Sequence, residues 1–296
     1  MQLRTRVIEG QQPGPHVLIT GGVHGDEFEP MVAIRRLTRR PELTELRGRL
    51  TLVPVVNEAA FARGTRAGED ELDLARTCPG RADGSVAERT AHALSELIRA
   101  ADYYIDLHTG GTALSVWPLT GYMLHSNSAV LDQQRAMARA FNLPVIWGTD
   151  PRLEGRSLSV ARDANVPAIY AEYLGGGRCS PAGVEGYVQG CLNVMALLGM
   201  LDLPAARSRV EIVIEDPRSN SGHMQRCYPA PADGCFEPNV ELGQPIAAGQ
   251  SLGSVVDPLG EERHEVLAEQ TGLIIVLRTL SSVRRGDSLA VILEVP

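Results

Sequence analysis

Apolar residues along the first two-thirds of the chain fall into two alternating kinds of run. Short continuous runs of β-branched and aliphatic residues occur at His16–Thr20, Leu50–Val56, Tyr103–Leu107, Val145–Trp147 and Ala168–Glu172. They are too short for helices and match strands buried on both faces. Between them, Phe28–Arg39, Val86–Ala100, Ala129–Phe141, Leu158–Ala164 and Gly183–Leu201 repeat apolar residues at helical spacing. The second of these opens on Ser85-Val-Ala-Glu88, a capping box in which serine and glutamate satisfy each other's backbone donors. Strands alternating with helices predict an α/β fold, a mostly parallel mixed sheet flanked by helices. Sites in such sheets form where loops leave the carboxyl ends of strands.

Beyond about residue 207 the rhythm changes. Long helical patterns stop, and short β-like runs follow one another between glycine turns at Gly234, Gly243, Gly249, Gly253, Gly260, Gly272 and Gly286. The expected organisation is a catalytic domain over 1–206 and a small all-β domain over 207–296, divided where Leu203-Pro204 ends the last helix.

Composition narrows the function. A formal charge of −8 argues against nucleic acid as a partner, since phosphate binding needs a basic excess. No apolar run approaches the roughly 20 residues that span a bilayer, and no signal-peptide pattern opens the chain. A cytoplasmic protein without a membrane partner is expected. Five scattered cysteines without C-x-x-C spacing suggest neither a disulfide framework nor a cysteine–zinc site. All 28 basic residues are arginine. Without lysine there is no Schiff base, no P-loop lysine, and no attachment point for biotin or lipoate.

The chemistry concentrates at three strand ends. "GGVHGDE" follows the first strand and sets His24 and Glu27 three apart, with Gly25 between them read as a source of backbone freedom. Alone, such a pair is more often a solvated helix start than a metal site. "YYIDLHTGG" places His108 at the end of another strand, with Asp106 two residues earlier on the same face. Together they supply a His₂Glu set for Zn²⁺, one ion per subunit, leaving a position for water. "AIYAEYLGGGR" offers Glu172 at a third strand end as a base, against the blander reading of an ion-paired carboxylate. The loop from Asn57 to Gly80 carries Arg63, Arg66 and Arg76, suited to oxyanions and carboxylates but each, taken singly, a plain surface residue.

With these motifs in order, the chain resembles the succinylglutamate desuccinylase/aspartoacylase family, relatives of the zinc carboxypeptidases, over nearly its whole length. The resemblance implies that His24, Glu27 and His108 bind zinc and that Glu172 is the catalytic glutamate. It also implies that Arg66 polarises the scissile carbonyl and Arg76 grips a substrate carboxylate. Arg63, a cation on the same loop, is expected from its position there to help bind substrate. One departure stands out: the family's D-L-N-R appears as Asp73-Leu74-Ala75-Arg76, which removes an amide from the carboxylate site. The C-terminal part resembles biotinyl or lipoyl barrel-sandwich modules, lacking the lysine such carriers need. The expected function is zinc-dependent hydrolysis of a small, anionic N-acyl amino acid or related amide. A carboxypeptidase and a non-catalytic binding protein on the same fold are the alternatives, and homo-oligomerisation is left open.

Overall fold

The structure, a computed structural model, describes residues 2–224 and 227–295. Strands β1 (Arg6–Glu9), β2 (Gln12–Thr20), β3 (Arg47–Val53), β4 (Tyr103–His108), β5 (Leu114–Met123), β6 (Val145–Thr149), β7 (Ala168–Gly175) and β8 (Ile212–Glu215) make up most of an 11-stranded sheet. Helices α1 (Phe28–Leu37), α2 (Glu58–Arg63), α3 (Val86–Arg99), α4 (Ser128–Phe141), α5 (Ser157–Asp163) and α6 (Pro181–Leu197) connect them. Strands β3, β2, β4 and β7 run parallel, and β5 returns antiparallel to β7. All five strands and all five helices expected from the pattern are present, with small shifts at their ends. The capping box at Ser85 and Glu88 forms as read.

The alternation along each strand divides the core. Val17, Ile19, Ile105, Leu107, Ile169 and Ala171 face α1, α4 and α6. Leu18, Tyr104, Ala168 and Tyr170 face the other way, toward α3 and α5. Thr20, Asp106 and Glu172 share the parity of this second set, so the strands deliver their polar side chains to the α3/α5 side of the sheet.

Two strands escaped the sequence pattern. β1 is a mostly exposed edge strand antiparallel to β3, with little apolar signal. β5 contains Pro118 and Gly121, residues that normally argue against a strand interior. Its register against β7 shifts between Val116 and Leu119, which accommodates the proline.

The C-terminal segment supplies β9 (Gly234–Pro238), β10 (Pro245–Ile246), β11 (Ser251–Val256), β12 (Arg263–Leu267), β13 (Gly272–Arg278), β14 (Ser282–Val283) and β15 (Ala290–Leu293). β12, β11, β9 and β14 form a separate four-stranded sheet. It packs through Phe236, Leu252, Val255 and Val266 onto Ile274, Leu277, Ala290 and Ile292, giving a β-sandwich core. Segments beyond residue 207 also join the large sheet. β8 lies parallel to β6, and β13 pairs antiparallel with the first half of β5. Ile275, Val276, Val291 and Leu293 point back into the α/β core, so β13 and β15 are buried on both faces. No helix among the described residues is long and apolar enough to cross a membrane.

Candidate active site

Four loops converge at the carboxyl ends of the parallel strands. After β2 the chain passes through Gly21–Asp26 into α1, bringing His24 and Glu27 inward; both are buried. The Nδ1 of His24 lies 2.6 Å from Glu27 Oε1, and the Nδ1 of His108 lies 3.0 Å from Glu27 Oε2. Ligand atoms of these three residues all fall within 4.8 Å of one another.

Each imidazole is held from behind. Asp73 Oδ1 meets His24 Nε2 at 3.0 Å, and Asp106 Oδ2 meets His108 Nε2 at 3.0 Å. Asp106 is fully buried and also accepts from Thr20 (2.8 Å) and Ser157 (2.5 Å). When the distal nitrogens donate to these carboxylates, both Nδ1 atoms present lone pairs toward the oxygens of Glu27. Lone pairs facing a carboxylate at such distances need a proton or a cation between them. The donor set and its outer carboxylates therefore fit a zinc ion, which His24, Glu27 and His108 could hold. Burial alone would raise the Glu27 carboxyl, yet the two rings hold it far below the usual range. Burial also opposes charge on His108, but Asp106 and Glu27 hold its pKa well above that of free histidine.

Gly25 does not use a left-handed conformation. Its amide donates to Thr65 O at 3.1 Å, and a Cβ there would stand 2.1 Å from the carbonyl carbon of Ala60. Close approach to α2, rather than backbone freedom, is what requires glycine. Asp26 points away from the three-residue set and accepts from the amide and hydroxyl of Thr112, tying the first strand-end loop to the loop after His108.

Glu172 lies opposite His108 in the β4–β7 register, is 6 % exposed, and leaves Oε2 without a hydrogen bond among the described residues. Burial pushes its carboxyl up to about 7, against the nearby His108 and with help from Glu27. Arg66 donates through Nε and Nη2 to Asp73 Oδ2, with Nη1 3.5 Å from His24 Nδ1. Arg76 lines the same cavity from an exposed position at its rim, and the half-buried Ala75 lines it beside Arg76. Arg63, in the last turn of α2, is exposed and does not line the cavity.

The cavity also contains residues that sequence reading passed over. Arg156 precedes α5, and its guanidinium donates weakly to Gly222 O at 3.3 and 3.4 Å. Burial lowers its pKa, opposed by Tyr170, Asp73 and Glu172. Tyr170, two residues before Glu172 on the same strand face, lines the cavity with Met123, Leu158 and Met224. The only advance signal for Tyr170 was its parity with Glu172; for Arg156 there was none.

Comparison with known proteins gives the chain's family. Residues 13–198 match the succinylglutamate desuccinylase/aspartoacylase catalytic domain. Over 300 aligned residues the chain is 32 % identical to the N-alpha-acetyl-L-2,4-diaminobutyric acid deacetylase of Halomonas elongata, covering 95 % of this chain and 83 % of that protein. The product-bound structure of the ectoine utilization protein EutE (DoeB) from Ruegeria pomeroyi is similar at a TM-score of 0.89 and 29 % identity, over 97 % of this chain and 87 % of that one. A succinylglutamate desuccinylase/aspartoacylase from Rhodobacter sphaeroides aligns at a TM-score of 0.86 and 28 % identity, over 98 % and 88 %. The chain belongs to the succinylglutamate desuccinylase/aspartoacylase family.

Proposed function

We propose that the protein is a zinc-dependent deacylase that hydrolyses the amide of a small N-acyl amino acid. The observation that carries this reading is the convergence of two imidazole Nδ1 atoms on one buried carboxylate, with a Glu172 oxygen in the same cavity that has no partner among the described residues. Zinc held by His24, Glu27 and His108 would act as a Lewis acid toward water and the substrate carbonyl. Glu172, with its carboxyl raised toward neutrality, takes the proton of the attacking water and returns it to the leaving amine. Arg66, oriented by Asp73, offers a fixed cationic donor to the oxyanion, a role typically worth about 3 kcal/mol. Arg76 at the rim and Arg156 further in provide positive charge for a substrate carboxylate. Arg63 has no part in this arrangement.

An N-acetylated diamino acid, the substrate class in the relative's name, is the first compound to try. Five free cysteines suit the reducing cytoplasm. The test is a screen of the zinc-loaded protein against N-acetyl amino acids and blocked dipeptides, run with Glu172→Gln and His108→Ala. Turnover of the N-acetyl compounds, abolished by Glu172→Gln with zinc retained, supports the reading. Preference for dipeptides turns it into a carboxypeptidase. Protein that holds no stoichiometric zinc, or full activity in His108→Ala, overturns it.

A further inference from the structure

Tyr170 is 9 % exposed, yet its hydroxyl makes no hydrogen bond to any described residue. A buried phenol normally finds a partner within the protein, because leaving the group unpaired costs free energy. Here the residue lines the cavity instead. The ring is placed with care: Gly121 stands directly opposite in the β5–β7 register, and a Cβ on Gly121 would come within 2.3 Å of the ring. Any other residue at 121 would push the phenol aside. It shares that cavity with Arg156, ahead of α5, and with Glu172 two residues along the same strand face. Burial and Glu172 both raise its pKa, so it stays protonated and acts as a donor. The Arg156 guanidinium, for its part, makes only long contacts to Gly222 O among the described residues.

We infer that Tyr170 is a substrate-binding residue whose hydroxyl, together with Arg156, grips the carboxylate of the N-acyl amino acid. The inference rests on the deacylase reading above and assigns the phenol to the carboxylate rather than to the scissile carbonyl. A neutral donor beside a guanidinium gives an anion two directed hydrogen bonds and leaves the apolar walls at Met123 and Leu158 for the rest of the molecule.

The test pairs Tyr170→Phe with a change in the substrate. N-α-acetyl-L-2,4-diaminobutyrate and its α-carboxamide are each assayed with wild type and variant, alongside zinc content and calorimetric binding of L-2,4-diaminobutyrate. Loss of a hydrogen bond to a charged group predicts a KM higher by roughly tenfold for the carboxylate, with kcat and zinc content nearly unchanged. The same substitution raises the KM of the carboxamide less, because a neutral amide oxygen is the weaker acceptor, and product binding weakens in parallel with the carboxylate KM. An equal fall in kcat on both compounds assigns the hydroxyl to the carbonyl and overturns the inference. Unchanged KM and binding in Tyr170→Phe, with an active wild type, overturns it alone. A wild type that neither binds nor hydrolyses these compounds overturns it together with the deacylase reading.

Discussion

Gly25→Ala is the sharpest test of how the first strand-end loop is held. The added methyl would stand 2.1 Å from the carbonyl carbon and 2.2 Å from the oxygen of Ala60, both backbone atoms in the buried part of α2. Non-bonded carbons rest at roughly 3.5–4.0 Å, so the two segments must part by roughly 1.5 Å. Neither can yield without moving site residues, because one side carries His24 and Glu27 and the other leads into Arg66. The bond from Gly25 N to Thr65 O is lost in the same movement. Overpacking of this kind costs about 1–3 kcal/mol in stability. Misplacing reacting groups by an ångström costs about 10²-fold in rate. Gly25→Ala is therefore expected to lower kcat/KM by about that factor and to weaken zinc binding, measured by competition with a chromophoric chelator. Gly64→Ala is the control: it strains a left-handed residue on the same helix but meets nothing within 4 Å. It should lose stability and keep its zinc. If Gly25→Ala binds zinc and turns over substrate as wild type does, the close-approach account is wrong.

Other outcomes follow from contacts already described. Asp106→Asn disturbs the acceptor that orients His108, and zinc affinity should fall about 10–100-fold by chelator competition; an unchanged affinity counts against the outer carboxylate's role. Glu215 accepts from Arg135 and Tyr122 and joins β8 to α4 and β5. The hydrogen bonds from Arg135 hold its carboxyl below the usual value, with burial pulling the other way. A lowered folded-state pKa contributes stability that is present above the unfolded value and lost as pH falls through the folded one. Glu215→Gln should thus cost about 1 kcal/mol at neutral pH, a screened figure for a partly exposed pair. The difference from wild type in urea titrations should shrink as pH drops below about 4; a pH-independent difference would refute the assignment.

The legibility of the site followed the physics of each residue. His24, Glu27, His108 and Glu172 sit at the ends of unbroken apolar runs, where buried charge is costly and so announces itself. Arg66 and Arg76 were assigned only through the family resemblance, since each alone reads as a surface arginine; the structure places Asp73 of the same loop between Arg66 and His24. Arg63 sat on the same loop and looked equivalent, but α2 turns it outward, a difference set by helix phase rather than residue type. Arg156 precedes a seven-residue helix in a polar turn, where one arginine looks like any other. β5 was hidden by Pro118 and Gly121, and each has a tertiary reason for being there: the first sits at the register shift, the second beneath Tyr170.

The two-faced burial of β13 and β15 ties the halves of the chain together more tightly than the change in sequence rhythm suggests. Ile274 and Leu277 serve the β-sandwich while Ile275 and Val276 serve the α/β core, the two consecutive residues being allowed by the irregular register against β15. An inserted or deleted residue in this strand would hand each core the other's side chains at once. Evolution can thus vary the loops of the C-terminal part freely, while β13 must drift in step with the core behind the active site.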